Sequence, residues 1–397
     1  MPGIFFFTIE KHLYLTMKQT KTIYKIMLGL AGVSLLSAIL LLVSNLGGAG
    51  LLFTAFFLFL ALGFRGFDFL RGFSFTVIIF ASVTIAMFYP SYFQEIQGFD
   101  LKNLFTPLLQ IIMFGMGTAM SLKDFAGVVK MPKGVLLGVF FQFTIMPFVG
   151  FGLANLLGVA PEIAAGIILI GASPSGLASN VMSYLAKANL ALSVTLTAFA
   201  TLLAPFITPN MMAWLGGEFI QVDVLGMMWS MVKIVVIPVT AGLIFNYFFH
   251  GKFKWLDDAM PIISMFGIAY IITIITAAGR DELLNVGLTL IVAGIFHNIS
   301  GYFLGYWGGK LARMDERDCR TIALEVGMQN GGLASALANE LGKVATVGLA
   351  PAIFGPVMNI TGSSLATYWR GKPPVDEEKT KQKEKEKTHL EHDKAAT

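Results

Sequence analysis

Apolar residues fill long, almost charge-free stretches at 24–51, 73–92 and 134–159. Each exceeds the roughly 20 residues a helix needs to cross about 30 Å of hydrocarbon. Ten-residue segments of alternating polarity, the mark of a transmembrane barrel, do not occur. Lipid offers no partner to an open sheet edge, so these stretches read as helices. The pattern predicts an all-α polytopic membrane protein with twelve spans. Two stand first, near 24–46 and 50–66. Ten follow, near 73–91, 104–121, 134–158, 161–186, 189–213, 224–248, 258–279, 283–309, 318–340 and 344–369. In the lead, 1–23, Met17 is an alternative start, and the Phe-rich run before it carries no interpretable pattern. After Arg370 the chain becomes a Lys/Glu run with almost no apolar residues, so 371–397 is predicted to be a disordered charged tail.

Loop charge agrees with this segmentation. One set of alternate loops carries Lys18, Lys21, Lys25, Arg65, Arg71, Lys123, Lys130, Lys133 and Lys187, then Lys252, Lys254, Lys310, Arg313, Arg317, Arg320 and the basic tail. The other set holds Lys102, Arg280 and Lys343. Basic loops stay on the cytoplasmic side, so both termini are expected in the cytoplasm and the chain in the cell inner (plasma) membrane. The net charge of +4 therefore speaks to topology and not to nucleic acid. Cys319 is the single cysteine, which excludes an intramolecular disulfide and leaves the redox compartment open. No nucleophile–base pair and no phosphate-binding loop occurs, so no catalytic residue and no ATP-driven step is expected.

Two interruptions break otherwise spanning sequence, at 171–176 (GASPSG) and at 327–332 (GMQNGG), and they start 156 residues apart. Each falls in the fourth span of a five-span unit. The units are 73–215 and 216–370, with 24–72 as two additional helices outside them. An odd number of spans inverts the second unit relative to the first, and matched broken helices in inverted repeats point to a transporter's binding site. Half-helix N-termini attract anions and half-helix carbonyls attract cations. Glycines that only permit tight helix crossing are the plainer reading of each break.

Glu325 stands just before the second break, inside apolar sequence, where an ionised carboxylate needs a cationic or donor partner. Lys233, about two and a half turns into its span, is the one basic side chain near a span centre. Around the breaks stand Ser179, Asn180, Ser193, Thr197, Gln329 and Asn330, with Ser193 and Thr197 at i, i+4 on one face. Neutral oxygens with one carboxylate suit Na⁺ better than Ca²⁺, and transition-metal ligand clusters are absent. Singly, each hydroxyl also reads as inter-helix glue. Gln142 lies mid-span, and the 156-residue offset carries it to Asn298, beside His297. That histidine is either a proton relay or a packing residue.

At these residues the chain resembles the bile acid:sodium symporter family. The stretch 171–197 (GASPSGLASNVMSYLAKANLALSVTLT) is similar to its fourth and fifth helices, and 325–334 (EVGMQNGGLA) to its ninth-helix signature. The segments 112–117 and 362–369 also fit, so the likeness spans about 73–370. It implies panel and core domains with two crossing broken helices, and no cofactor beyond Na⁺ as coupling ion. It implies one sodium site from Ser179, Asn180, Ser193, Thr197 and Glu325. A second would use Gln142, Glu325, Val326, Met328 and Gln329. The substrate site is expected around Ser173, Ser175, Gly176, Asn330, Gly331, Gly332 and Asn298. The chain departs from the family in its two leading helices, in Leu177, which replaces a small polar residue, and in Met358, where bacterial relatives can carry a histidine.

The reading is a sodium-coupled symporter importing a small organic anion of the bile acid, pantoate or keto-acid class by alternating access. Its partners are that anion, Na⁺ and the bilayer, with no nucleic acid. A cation/proton antiporter and an anion-binding sensor without flux are the alternatives. The predicted topology is testable in intact cells, in a Cys319→Ser background. Cysteines replacing Lys102, Arg280 or Lys343 should react with an impermeant external thiol reagent. Those replacing Lys130, Lys254 or Arg313 should not, and the reverse pattern inverts the orientation.

Overall fold

Helix follows the apolar runs along the chain. In the computed structural model, residues 3–372 and 374 are described, apart from 68, 69, 122, 123, 125, 126, 250, 251 and 253. Lys123 and the charged tail from 375 onward therefore lie outside the described residues. Fourteen main helices are named here: α1 (Gly3–Val43), α2 (Ala49–Phe64), α3 (Ser74–Phe88), α4 (Phe105–Thr118), α5 (Pro132–Leu157), α6 (Pro161–Ala172) and α7 (Leu177–Leu185). Then come α8 (Leu190–Gly216) and α9 (Val224–Phe249). The chain continues with α10 (Lys254–Ala278), α11 (Arg280–Leu311), α12 (Glu316–Gly327), α13 (Gly331–Glu340) and α14 (Leu349–Arg370). Each of the twelve predicted spans carries helix, and α1 starts at Gly3, well ahead of the expected 24. Between α3 and α4 lies a two-stranded hairpin, Glu95–Ile96 with Phe99–Asp100. Gln97 and Gly98 both have positive φ there, the turn conformation that matches strand twist.

Among the described residues, five helices are long and apolar enough to cross a membrane whole: 22–43, 132–157, 190–216, 224–249 and 280–311. Large apolar side chains on them face outward, including Val43, Leu156, Leu288 and Leu311, each more than three-quarters exposed. Water would penalise that surface, whereas lipid does not. Lys233 is exposed and sits on a π-turn, Val232–Val236, within α9. Its carbonyl accepts from Gln110 Nε2 on α4 at 3.2 Å.

The two interruptions differ in extent from the glycine motifs that announce them. Gly171 and Gly327 remain helical, and the chain unwinds only at 173–176 and 328–330. Pro174 has no N–H and disfavours helix at the residue before it, which starts the first break at Ser173. The second ends at Asn330, whose Oδ1 accepts from Leu333 N at 3.0 Å and caps α13. Gly327 serves close approach instead. A Cβ on Gly301 of α11 would stand 2.7 Å from the Gly327 Cα.

Packing sorts the helices. α4 packs on α9 and α10, α10 packs on α3, and the α1–α2 hairpin joins them through α2 against α3. α5, α6, α8, α11, α12 and α14 form the other group. Every residue from Ile163 to Ala172 of α6 is buried, as is every residue from Cys319 to Gly327 of α12. Both half-helices are thus enclosed on all sides, α6 by an all-round apolar surface and α12 together with its polar Arg320, Thr321 and Glu325.

One charge expected in a loop is instead interior. Arg320 is only 4% exposed. Its Nε donates to Glu316 Oε1 at 2.8 Å, and its terminal nitrogens donate to the carbonyls of Ala186, Trp369 and Lys372 at 3.2, 3.2 and 2.8 Å. The guanidinium also lies over the Trp369 ring, 5.5 Å from its centroid. A planar fork thus gathers the ends of α7, α12 and α14. Burial raises the Glu316 carboxyl, but bonds from Lys310, Arg320 and Tyr306 outweigh it and hold the group below its ordinary range. Its contribution is therefore complete above that range and is lost as pH falls through the lowered value. Arg320→Ala should cost about 3–5 kcal/mol by leaving Glu316 and the carbonyls without their partner. A lower thermal midpoint in detergent checks this, and Arg320→Lys, lacking the fork, should recover only part.

Candidate functional site

The unwound segments meet. Ser175 and Gln329 form an antiparallel bridge, with Asn330 N donating to Pro174 O at 2.8 Å and Gly176 N to Met328 O at 3.4 Å. Backbone groups freed by the two breaks thus satisfy each other, as non-helical chain at membrane depth must. Four half-helix ends converge here: the C-termini of α6 and α12 and the N-termini of α7 and α13.

Glu325 sits one turn before the second break, 2% exposed. Its Oε1 accepts from Ser179 at 2.7 Å and Ser193 at 2.5 Å. Its Oε2 accepts from Ser175 at 2.6 Å and Thr197 at 2.9 Å. Asn180 Oδ1 lies 2.8 and 3.1 Å from the same Ser193 and Thr197 hydroxyls, so it competes with Glu325 for their single protons. The fold thus gathers Ser179, Asn180, Ser193, Thr197 and Glu325, on α7, α8 and α12, around one carboxylate. Ser175, expected nearer the substrate, is a direct partner of that carboxylate. Among the described residues no salt bridge reaches Glu325. Four neutral hydroxyls donate to the carboxylate and bring no countercharge to it.

A second polar group lies behind the crossing. Gln142 Nε2 donates to Ser173 O at 2.9 Å and to Gln329 Oε1 at 2.5 Å, and Gln329 Nε2 donates to Val326 O at 2.6 Å. Met328 contributes its carbonyl to the bridge. Gln142 Oε1 is buried without a partner among the described residues, an acceptor that a water or a cation would satisfy. Asn298 Nδ2 donates to Gly327 O at 2.9 Å, so each offset-related amide holds a carbonyl at the end of a half-helix. His297 is fully buried, with its ring 5.3 Å from that of Phe354.

The residues expected around the substrate divide into two sets. Ser173, Ser175 and Asn298 are fully buried on the inner side of the crossing, while Gly176, Asn330, Gly331 and Gly332 are half-buried and line its open side. Leu177 is half-buried beside them. A Cβ on Gly331 would stand 3.2 Å from Pro351 O, but one on Gly332 would meet nothing nearer than 3.6 Å. Met358 is buried, and its sulfur accepts from Gln329 N at 3.0 Å. The next residue, Asn359, is half-buried one turn from Gly355, which packs on Gly331. Sequence reasoning missed it, because nothing in the α14 pattern marks which side faces the crossing. Thr201, one turn beyond Thr197, has a buried hydroxyl without a partner among the described residues.

Comparison with known proteins adds the following. Residues 106–286 match the Sodium Bile acid symporter family. The chain is 42% identical over 297 residues to the uncharacterized sodium-dependent transporter YocS of Bacillus subtilis, covering 75% of this chain and 90% of that protein. It is 35% identical over 266 residues to the probable chloroplastic sodium/metabolite cotransporter BASS1 of Arabidopsis thaliana, covering 67% of this chain and 66% of that one. A rice protein of the same description is 34% identical over 276 residues, 68% of each chain.

Proposed function

The chain belongs to the sodium bile acid symporter family, and from that premise we propose that it imports a small organic anion with Na⁺ by alternating access. That it is a sodium-coupled membrane transporter follows from its relatives. The anion, the direction and the mechanism are our reading. The observation that carries it is the bridge between the two breaks, which puts a buried carboxylate and two open helix N-termini in one structural unit.

In this reading one Na⁺ is held by Ser179, Asn180, Ser193, Thr197 and Glu325, with Ser175 added. A second uses Gln142, Glu325, Gln329 and carbonyls of Val326 and Met328. Na⁺ neutralises a carboxylate that four neutral hydroxyls leave charged, so binding stiffens the crossing. The anion lies on the open side, against the N-termini of α7 and α13, near Gly176, Asn330, Gly331 and Gly332. Free N–H groups and the helix dipoles favour negative charge there. The α3/α4/α9/α10 group is the panel and the other is the core, with the Arg320 end in the cytoplasm. If two Na⁺ accompany one monovalent anion, the membrane potential adds about 2.3 kcal/mol per 100 mV for the net charge moved.

Two substitutions test the halves separately. Glu325→Gln keeps the shape of the side chain and removes its charge. It should abolish the rise in thermal midpoint that Na⁺ produces by linkage in the purified protein. An undiminished Na⁺ response would remove Glu325 from the mechanism. Gly332→Val places a side chain on the open side, where the fold has room for it. Uptake of pantoate, 2-keto acids and bile acids into proteoliposomes should be lost while the Na⁺ response persists. Normal uptake would show that the anion binds elsewhere.

A further inference from the structure

Glu340 ends α13, at the opposite end of the bundle from Arg320. Its carboxylate reaches away from its own helix. Oε1 accepts from the Thr106 hydroxyl on α4 at 3.1 Å, and Oε2 from the Ser230 hydroxyl on α9 at 2.9 Å. Both donors belong to the panel, whereas α13 is a broken helix of the crossing. Another hydrogen bond joins the groups at this end: Arg280 Nε, at the start of α11, donates to Met87 O, near the end of α3, at 2.7 Å. α13 also packs along α4, α9 and α10.

Its counterpart at the Arg320 end is arranged differently. α7 packs chiefly on α8, α12 and α14, and its Val181 and Tyr184 are 56% and 68% exposed. Tyr184 stands 156 positions before Glu340, the offset that also relates Gln142 to Asn298. The two half-helices thus have equivalent last turns, one latched to the panel and the other, among the described residues, not.

We propose that Glu340 is a latch that holds the transporter closed at its outer end in this conformation. Tyr184 is the opposite latch, docking on the panel when the inner end closes. The proposal rests on the alternating-access reading above and adds to it the residues that bias the two states. The hydrogen bonds of Glu340 are exposed, so water replaces each one as it breaks. Such a contact shifts an equilibrium by a modest factor without trapping one state, which suits an element that must open in every cycle.

The experiment uses the full chain in proteoliposomes, in the Cys319→Ser background. Thr106→Cys with Glu340→Cys, bridged by a short bifunctional thiol reagent, should lower Na⁺-driven uptake by about tenfold or more, and reduction of a cleavable bridge should restore it. Bridging without loss of uptake would show a static seam and overturn the latch. A second readout needs no transport: the rate at which Val181→Cys reacts with a maleimide from the Arg320 end. Glu340→Ala should slow it about threefold, and Glu340→Gln, which keeps one acceptor, by less. Adding Tyr184→Ala to Glu340→Ala should return the rate toward the parent. An unchanged rate in Glu340→Ala overturns the outer latch, and no recovery in the double variant overturns the role of Tyr184. If the unsubstituted protein takes up no anion, the transport reading fails by itself, while the labelling rates still decide whether Glu340 sets the conformation.

Discussion

The structure depends on one backbone pairing, the bridge between Ser175 and Gln329. Two spanning helices cannot each unwind in a low-dielectric interior unless the freed N–H and C=O groups find partners. Here each break is the partner of the other, through Asn330 N to Pro174 O and Gly176 N to Met328 O. Neither unwound segment would be stable alone. Because they are satisfied jointly, the first and second halves of the chain are tied at the centre of the molecule, and whatever binds one break is felt by the other.

The chemistry is arranged around that tie. Glu325 is held by hydroxyls from the first break itself, from α7 and from α8, so its position reports on three elements together. Hydroxyls are weak compensation for a buried carboxylate, and a missing positive charge is a larger debt than a missing hydrogen bond. A monovalent cation resolves it without bringing a long side chain into the crossing. The unpaired Gln142 Oε1 poses the same demand on the other side. In the proposed reading these two features favour sodium on the enclosed face, with the helix N-termini on the open face for an anion.

Around the crossing, each end of the molecule is built for a different duty. At one end Arg320 is buried and multiply bonded, gathering the ends of α7, α12 and α14. At the other, Glu340 and Arg280 make contacts between groups; those of Glu340 are exposed and that of Arg280 is half-buried. Buried charge-assisted bonds are costly to break and suit permanence, whereas exposed ones exchange readily with water.

The hydrophobic pattern determined where the helices run, because lipid leaves the backbone no other choice. The pair of polar interruptions, 156 residues apart, located the crossing, because unwound chain at membrane depth has to be paired somewhere. The residues drawn together around Glu325 were also legible, since Ser179 and Asn180 follow one break and Ser193 and Thr197 share a helical face. What the chain alone did not reveal depends on which face meets which neighbour. Gly171 and Gly327 read as breakers and proved to be close-packing positions, while Pro174 and the Asn330 cap set the unwinding. Arg320 read as a loop charge, yet the ends of α7 and α14, distant in sequence, bury it. Met358 turns its sulfur to Gln329 N, Ser175 joins the carboxylate, and Glu340 finds Thr106 and Ser230. Periodicity along one helix encodes burial, but partners across helices are selected only when the whole bundle packs.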